Sequence, residues 1–254
     1  MPTTKTSSKR FSSEKRGRVP LERALSKLGL LSRSQARRSI LAGEVRVDGR
    51  VVLDPFSRVV PETIRVEIQG RSHPAAEPKM FLYHKPKRTV CTRSDEKGRR
   101  TIFEDFKGFE GHYHSVGRLD YNTTGLLLIT NHSRWSDFLT DPKNAIPREY
   151  HATVEGEITQ ATIAEILAGV VVDGVAYNVR AARLRKASRK ESHLFVTLSE
   201  GKNREVRNLL SAVGHPVRAL KRLSFGPFAL GDLAPGHFRE AQPLGLGELP
   251  SVAL

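Results

Sequence analysis

GRLDYNTTGLLLITN, residues 117–131, is the stretch on which the fold turns. Leu126 to Ile129 form an unbroken apolar run, which reads as a strand buried on both faces. Asn122, Thr123, Thr124 and Gly125 form its polar approach. Asp120 stands at the head of that approach, two residues after Arg118. A loop running into a core is where a rigid scaffold presents a functional group. A lone loop aspartate usually caps a turn or pairs with a neighbouring arginine, so the company it keeps has to separate the readings.

Two segments offer that company. PREYHATVEG places Tyr150 at the start of a strand. SEGKNREVRNLLSAVG begins with a Gly turn and enters a helix. Val206, Leu209, Leu210 and Val213 make the apolar stripe of that helix, and Arg204, Arg207, Asn208 and Ser211 the polar one. A half-buried carboxylate beside an arginine stays ionised, because the opposite charge offsets desolvation. A tyrosine offers a flat apolar body with a polar tip, suited to a nucleobase. A packed core tyrosine and a solvated helix arginine fit the same residues, and spacing alone does not bring the three together.

The rest of the chain narrows the partner. Its 254 residues carry a formal charge of +15, and 38% are apolar, enough for a real core. No apolar run approaches the roughly 18 residues of a membrane span. The first residues lack the apolar core of a secretory signal, so the chain reads as cytosolic. The single Cys91 excludes an internal disulfide and a cysteine-cluster metal site. No phosphate-binding loop and no dinucleotide fingerprint are present, which argues against ATP and NAD. His112 and His114 lack further ligands at metal spacing, and Trp135 and Cys91 read as packing residues. Excess positive charge suits a polyanion, and nucleic acid is the expected partner.

Four segments are expected. Residues 1–18 form a basic arm with Lys5, Lys9, Arg10, Lys15, Arg16 and Arg18 against Glu14. Residues 19–70 form a compact α/β module. Leu21, Ala24, Leu25 and Leu28 have helical spacing, with Pro20 before them and Gly29 after. Ser32 or Ser34 caps a second helix that ends at Gly43. EVRVDGRVV and TIRVEI, residues 63–68, read as extended, with a tight turn at Asp48-Gly49. Arg33, Arg37 and Arg38 on the second helix, and Arg46 and Arg50 around the turn, suit a phosphate backbone. Residues 71–79 read as a linker. From residue 80 to 254, FLYHKP, HATVEG, VVVDGVAYNV and HLFVTLSEG read as strands, with helices at ITQATIAEILAGV and NREVRNLLSAVG. Strands and helices mix without βαβ alternation, which predicts α+β architecture on a mostly antiparallel mixed sheet with flanking helices.

Residues 21–52, LERALSKLGLLSRSQARRSILAGEVRVDGRVV, resemble the alpha-L RNA-binding module of ribosomal proteins and RNA-modifying enzymes. Residues 80 to about 240 resemble the RsuA/RluB-type ribosomal RNA pseudouridine synthases. The family's G-R-L-D-x-x-T-x-G-L-L-L-x-T-N motif is matched by Gly117 to Asn131, its K-x-Y-x-V by Arg148 to Ala152 and onward, and its E-G-x-N-R-Q-V-R by Glu200 to Arg207. KPKRTVCTRSDEKGRRTIFEDF matches a further segment without its glycine, and Glu205 stands where the family commonly has glutamine.

The resemblance implies that Asp120 is the catalytic aspartate, Tyr150 the aromatic residue against the uracil, and Arg207 the cation beside Asp120. Arg118 and Arg204 would hold RNA, and Leu119 and Leu198 would line the pocket. The implied reaction converts a specific uridine of ribosomal RNA, expected in the large subunit, to pseudouridine. No metal or redox cofactor is implied, the partner is ribosomal RNA or an assembly intermediate, no membrane is involved, and a monomer is expected. A non-catalytic RNA-binding assembly factor explains the charge and the module equally well. It does not explain a carboxylate among arginines in an RNA-facing loop. A base-excising glycosidase would want a second positioned carboxylate near Asp120.

Overall fold

A computed structural model describes residues 18–61, 63–73, 78–109 and 112–241. The expected basic arm lies outside the described residues except for Arg18. The chain divides into two compact units, with the break after Ala76.

The smaller unit holds β1 (Val19–Pro20), α1 (Leu21–Lys27), α2 (Arg33–Leu41), β2 (Val45–Val47), β3 (Arg50–Val51), β4 (Arg58–Val59), β5 (Val66–Ile68) and β6 (Arg71–His73). Four strands form an antiparallel sheet in the order β3-β2-β5-β6, and β1 pairs with β4. Leu21 and Leu25 of α1 and Ala36 and Ile40 of α2 pack on Val45, Val47, Val66 and Ile68. Ser32, rather than Ser34, starts α2: its hydroxyl accepts from the Gln35 amide and the Gln35 side chain accepts from the Ser32 amide. Asp48 and Gly49 both have positive φ, 49° and 79°, as a two-residue hairpin turn requires. Two expectations need correction. TIRVEI is extended in the ladder only over Val66–Ile68, because the Arg65 amide turns to the Asp48 carboxylate. The linker does not begin at residue 71, because Arg71–His73 pair with β5.

The larger unit holds β7 (Met80–Lys85), β8 (His114–Val116), β9 (Thr124–Thr130), α3 (Ser133–Thr140), β10 (Arg148–Glu155), α4 (Gln160–Ala168), β11 (Val170–Val172), β12 (Val175–Tyr177), β13 (Ala181–Ala187), β14 (Glu191–Leu198), α5 (Glu205–Ala212), β15 (Val217–Phe225), β16 (Phe228–Ala229) and β17 (Phe238–Glu240). Nine strands form one sheet in the order β13-β14-β10-β15-β9-β7-β17, with β16 on β15 and β8 on β9. The fold is therefore α+β on a mixed sheet, as expected. VVVDGVAYNV differs from expectation: Asp173 and Gly174 turn it into the separate β11–β12 hairpin.

All pairings in the large sheet are antiparallel except β15 with β9, which are parallel over Lys221–Thr124 and Arg222–Gly125. This short seam joins the two halves of the sheet. Gly125 makes it, with φ of 105°. A Cβ there would fall 2.2 Å from the Arg222 carbonyl oxygen and 2.5 Å from its nitrogen, so no other residue fits. Beyond the seam, the apolar run feeds two cores by strand alternation. Leu126 and Leu128 join Met80, Leu82, Trp135 and Leu139 on one face. Leu127 and Ile129 join Phe81, Tyr83 and Phe106 on the other. The opposite half of the sheet packs Ala152, Val154, Leu194, Val196 and Leu220 against Ile163 and Ile166 of α4 and Val206, Leu209 and Leu210 of α5.

Candidate active site

The loop between β8 and β9 carries Asp120 to the seam. A cavity of about 620 Å³ opens there, lined by Leu119, Asp120, Tyr150, Leu198, Arg204 and Arg207. Arg118 also lines it and is exposed. The site residues expected in the larger unit thus share one cavity, although they come from three segments far apart in sequence.

Among the described residues, Asp120 is the only cavity carboxylate with ion pairs to two guanidinium groups. Arg207 Nε lies 3.6 Å and Arg204 Nη1 3.8 Å from the same oxygen, Oδ2. Side-chain exposure separates the two cations: 13% for Arg207 and 54% for Arg204. Arg207 is not a solvated helix arginine. It is pinned, donating from Nη1 to the Val217 carbonyl at 3.2 Å and from Nη2 to the Thr123 hydroxyl at 3.4 Å. Burial lowers its pKa, and the Asp120 charge opposes that shift. Arg204 adopts a left-handed backbone, φ 49°, at the start of α5. Tyr150 is half-buried and bridges the cores on either side of the seam. Leu198 and Leu119, 2% and 7% exposed, give the cavity apolar walls.

Four residues around this loop carry structure that sequence reading did not assign. Lys85 ends β7 fully buried, and its ammonium donates to the carbonyls of Thr123 at 3.0 Å, Pro86 at 3.1 Å and Tyr121 at 3.4 Å. Burial lowers its pKa to about 8, against the pull of Asp120. Cys91 is not mere packing: its sulfur meets both the carbonyl and the amide of Leu119, at 3.3 and 3.4 Å. The Asp120 loop is thus held from below on both sides of the carboxylate. Arg148 and Arg222, 6% and 2% exposed, flank the Phe225 ring at 4.5 and 5.0 Å. Arg148 donates to the carbonyls of Leu139, Ile146, Ser199 and Glu200, and Arg222 donates to that of Leu126. Strand parity was the available signal: Arg148 is in phase with Tyr150, Ala152 and Val154, and so faces inward.

Arg88 fills the slot where the family segment has glycine. It takes the conformation a glycine would supply, φ 57°, and its amide donates to the Tyr121 carbonyl at 2.8 Å. Glu205 is 4% exposed. One carboxylate oxygen accepts from the Lys202 amide at 3.0 Å, and burial raises its pKa.

In the smaller unit, Arg33, Arg37, Arg38, Arg46 and Arg50 are all exposed. Arg37 is engaged, donating to Glu22 from Nε at 2.7 Å and Nη2 at 3.2 Å. Arg46 donates to the Gly49 carbonyl. Among the described residues, no group of three potential ligands is placed to hold a metal ion, and no helix is long and apolar enough to cross a membrane.

Comparison with known proteins agrees over both units. The RNA pseudouridylate synthase family model matches residues 79–212, and the S4 domain model matches residues 19–64. An uncharacterized RNA pseudouridine synthase of Aquifex aeolicus is 37% identical, over 92% of this chain and 93% of that protein. The ribosomal large subunit pseudouridine synthase B of Bacillus subtilis is 32% identical, over 92% and 96%. A crystal structure of a pseudouridylate synthase superposes with a TM-score of 0.64 at 27% identity, covering 91% of this chain and all of the other. Matched to this extent in sequence and in fold, the chain belongs to the RNA pseudouridine synthase family and carries an S4 RNA-binding domain at its N-terminal side.

Proposed function

We propose that the protein isomerises a specific uridine of large-subunit ribosomal RNA to pseudouridine in the cytoplasm, with Asp120 as the catalytic carboxylate. The observation that carries this reading is a carboxylate at a cavity wall with two guanidinium groups, of Arg207 and Arg204, both at one of its oxygens. The similarity to a large-subunit enzyme supports the choice of RNA.

The chemistry needs one carboxylate. Breaking the bond between uracil N1 and ribose C1′ sends the electron pair onto the base. A glycosidase protonates its alkoxide leaving group with a second carboxyl. A uracil anion spreads its charge over two carbonyls, so that acid is dispensable. Asp120 either attacks C1′ or takes the neighbouring C2′ proton. Uracil then turns and rejoins C1′ through C5, as the Asp120–C1′ bond breaks on the first route or as Asp120 returns its proton to C2′ on the second, and the C5 proton leaves to a base, Tyr150 or Asp120. The Tyr150 ring supplies a face for the turning base, and Leu119 and Leu198 exclude water around it. Ion-pair distances of 3.6 and 3.8 Å suit a site whose contacts tighten on substrate. The target nucleotide must leave its stack, at a cost of a few kcal/mol that is smaller in a loop. Exposed Arg118 and Arg204 are placed to hold its phosphates.

The test is release of tritium from C5-labelled uridine in unmodified ribosomal RNA by the wild type and by Asp120→Asn. Release by the wild type alone is expected. Equal release by both would remove Asp120 from the chemistry. Salt-sensitive binding without release by either would favour the assembly-factor reading.

A further inference from the structure

The smaller unit displays an aromatic ring that no packing requirement explains. Phe56 is 60% exposed. It sits on a fixed turn: its amide donates to the Asp54 carboxylate at 2.9 Å, and the Pro55 and Ser57 carbonyls accept the first amides of α1, from Glu22 and Leu21. The Arg37 guanidinium lies over the ring, 5.2 Å from its centroid. Glu22, with 14% side-chain exposure, holds that guanidinium by two hydrogen bonds. Arg37 is therefore committed to Glu22 and the ring rather than free for a phosphate.

From this arrangement we infer a binding site: Phe56, with Arg37 locked against it, is a stacking platform for an unpaired nucleobase of the RNA that the S4 domain binds. Three observations support a base rather than a phosphate or a protein. The platform is a flat ring backed by a planar cation, the combination on which bases stack. Glu22 and Asp54 border it, which repels phosphate but not the neutral face of a base. Arg33 and Arg38, exposed on α2, supply the phosphate contacts of the surrounding strand. Both the turn and the arginine are ordered before RNA arrives, so stacking costs little conformational entropy.

The inference rests on RNA as partner and extends the reading above. Its test uses the full chain and a short RNA hairpin carrying 2-aminopurine in a single-nucleotide bulge, with a fully paired hairpin as control. Wild type should quench the bulged fluorophore and prefer the bulged RNA. Phe56→Ala and Phe56→Leu should both lose the quenching and weaken bulged-RNA binding by about fivefold or more, leaving the paired RNA unaffected. Phe56→Trp should retain both. Leucine keeps apolar bulk without the ring, so it separates stacking from burial and guards against an unfolded alanine variant. Unchanged binding of the bulged hairpin by Phe56→Leu, or an equal loss on both hairpins, overturns the platform. Failure of the enzyme reading would show separately, as absence of tritium release by the wild type.

Discussion

The two units use positive charge in opposite ways. In the smaller unit the arginines stand in water, with Arg33, Arg38, Arg46 and Arg50 exposed. In the larger unit Lys85, Arg148 and Arg222 are buried, and all three donate to backbone carbonyls. An exposed cation attracts a polyanion, is screened by salt, and contributes little to the fold. A buried cation holds chain segments and cannot be screened. The first arrangement suits the attraction of a polyanion, and the second stiffens the loop and seam around Asp120.

The largest expected effect is at the seam. Gly125→Ala places a Cβ on the Arg222 backbone, so the variant should be insoluble or melt far below the wild type in a thermal scan. A folded, active Gly125→Ala protein would break the account of how the sheet halves meet. Next comes the buried cation beneath the loop. Lys85→Met should lower kcat by about tenfold or more, because the Thr123 and Tyr121 carbonyls lose their donor and Asp120 drifts. The wild-type pH profile sharpens this. The donor-rich ammonium is lost as pH rises through about 8, so activity should fall on the alkaline side, and Lys85→Met should lack that limb. Stability runs the other way. The unfolded lysine titrates near 10.5, so between 8 and that value the unfolded chain binds more protons, and this group makes the fold more stable as pH rises.

The exposed class predicts a smaller, different signature. Arg33→Gln with Arg38→Gln should weaken RNA binding at low salt and reduce the slope of log K against log salt by about one per lost contact. Saturated kcat should stay unchanged, and a fall in kcat would show that the contrast between the units is wrong. Smallest is Glu205→Gln. Burial raises the pKa of this carboxyl, so its charged form costs stability once pH exceeds the ordinary carboxylate range. The glutamine variant should gain a few degrees in Tm at pH 7 and nothing near pH 4, by roughly 1 kcal/mol or less.

Much of this was legible in sequence. The buried run 126–129, a serine cap on α2 at Ser32 or Ser34, the Asp48-Gly49 turn and the α5 stripe all follow from local periodicity and turn chemistry. β13 and β15 were missed. AARLRKA is edge-like and mostly exposed, and VRALKRLSF breaks its apolar alternation with three cations, of which Arg222 turns out to be buried. The cavity had the same difficulty. Asp120, Tyr150 and Arg207 were named from motifs, but their meeting depends on the parallel seam, which no local pattern encodes. Nothing local marks Lys85, because burial of a charge is a tertiary fact. Arg37 looked free because its partner Glu22 lies 15 residues away, on another helix.

The seam also has a kinetic meaning. The Arg222 side chain bonds the Leu126 carbonyl across 96 positions of chain, and β9 and β15 touch over only two register pairs. The pairings β7–β9 and β10–β14 close shorter loops and gain more bonds, so loop-closure entropy orders them ahead of the seam. Arg207 and Asp120 reach each other across the same junction. The proposed site is thus completed last, and a half-folded chain carries its S4 domain before Asp120 and Arg207 meet.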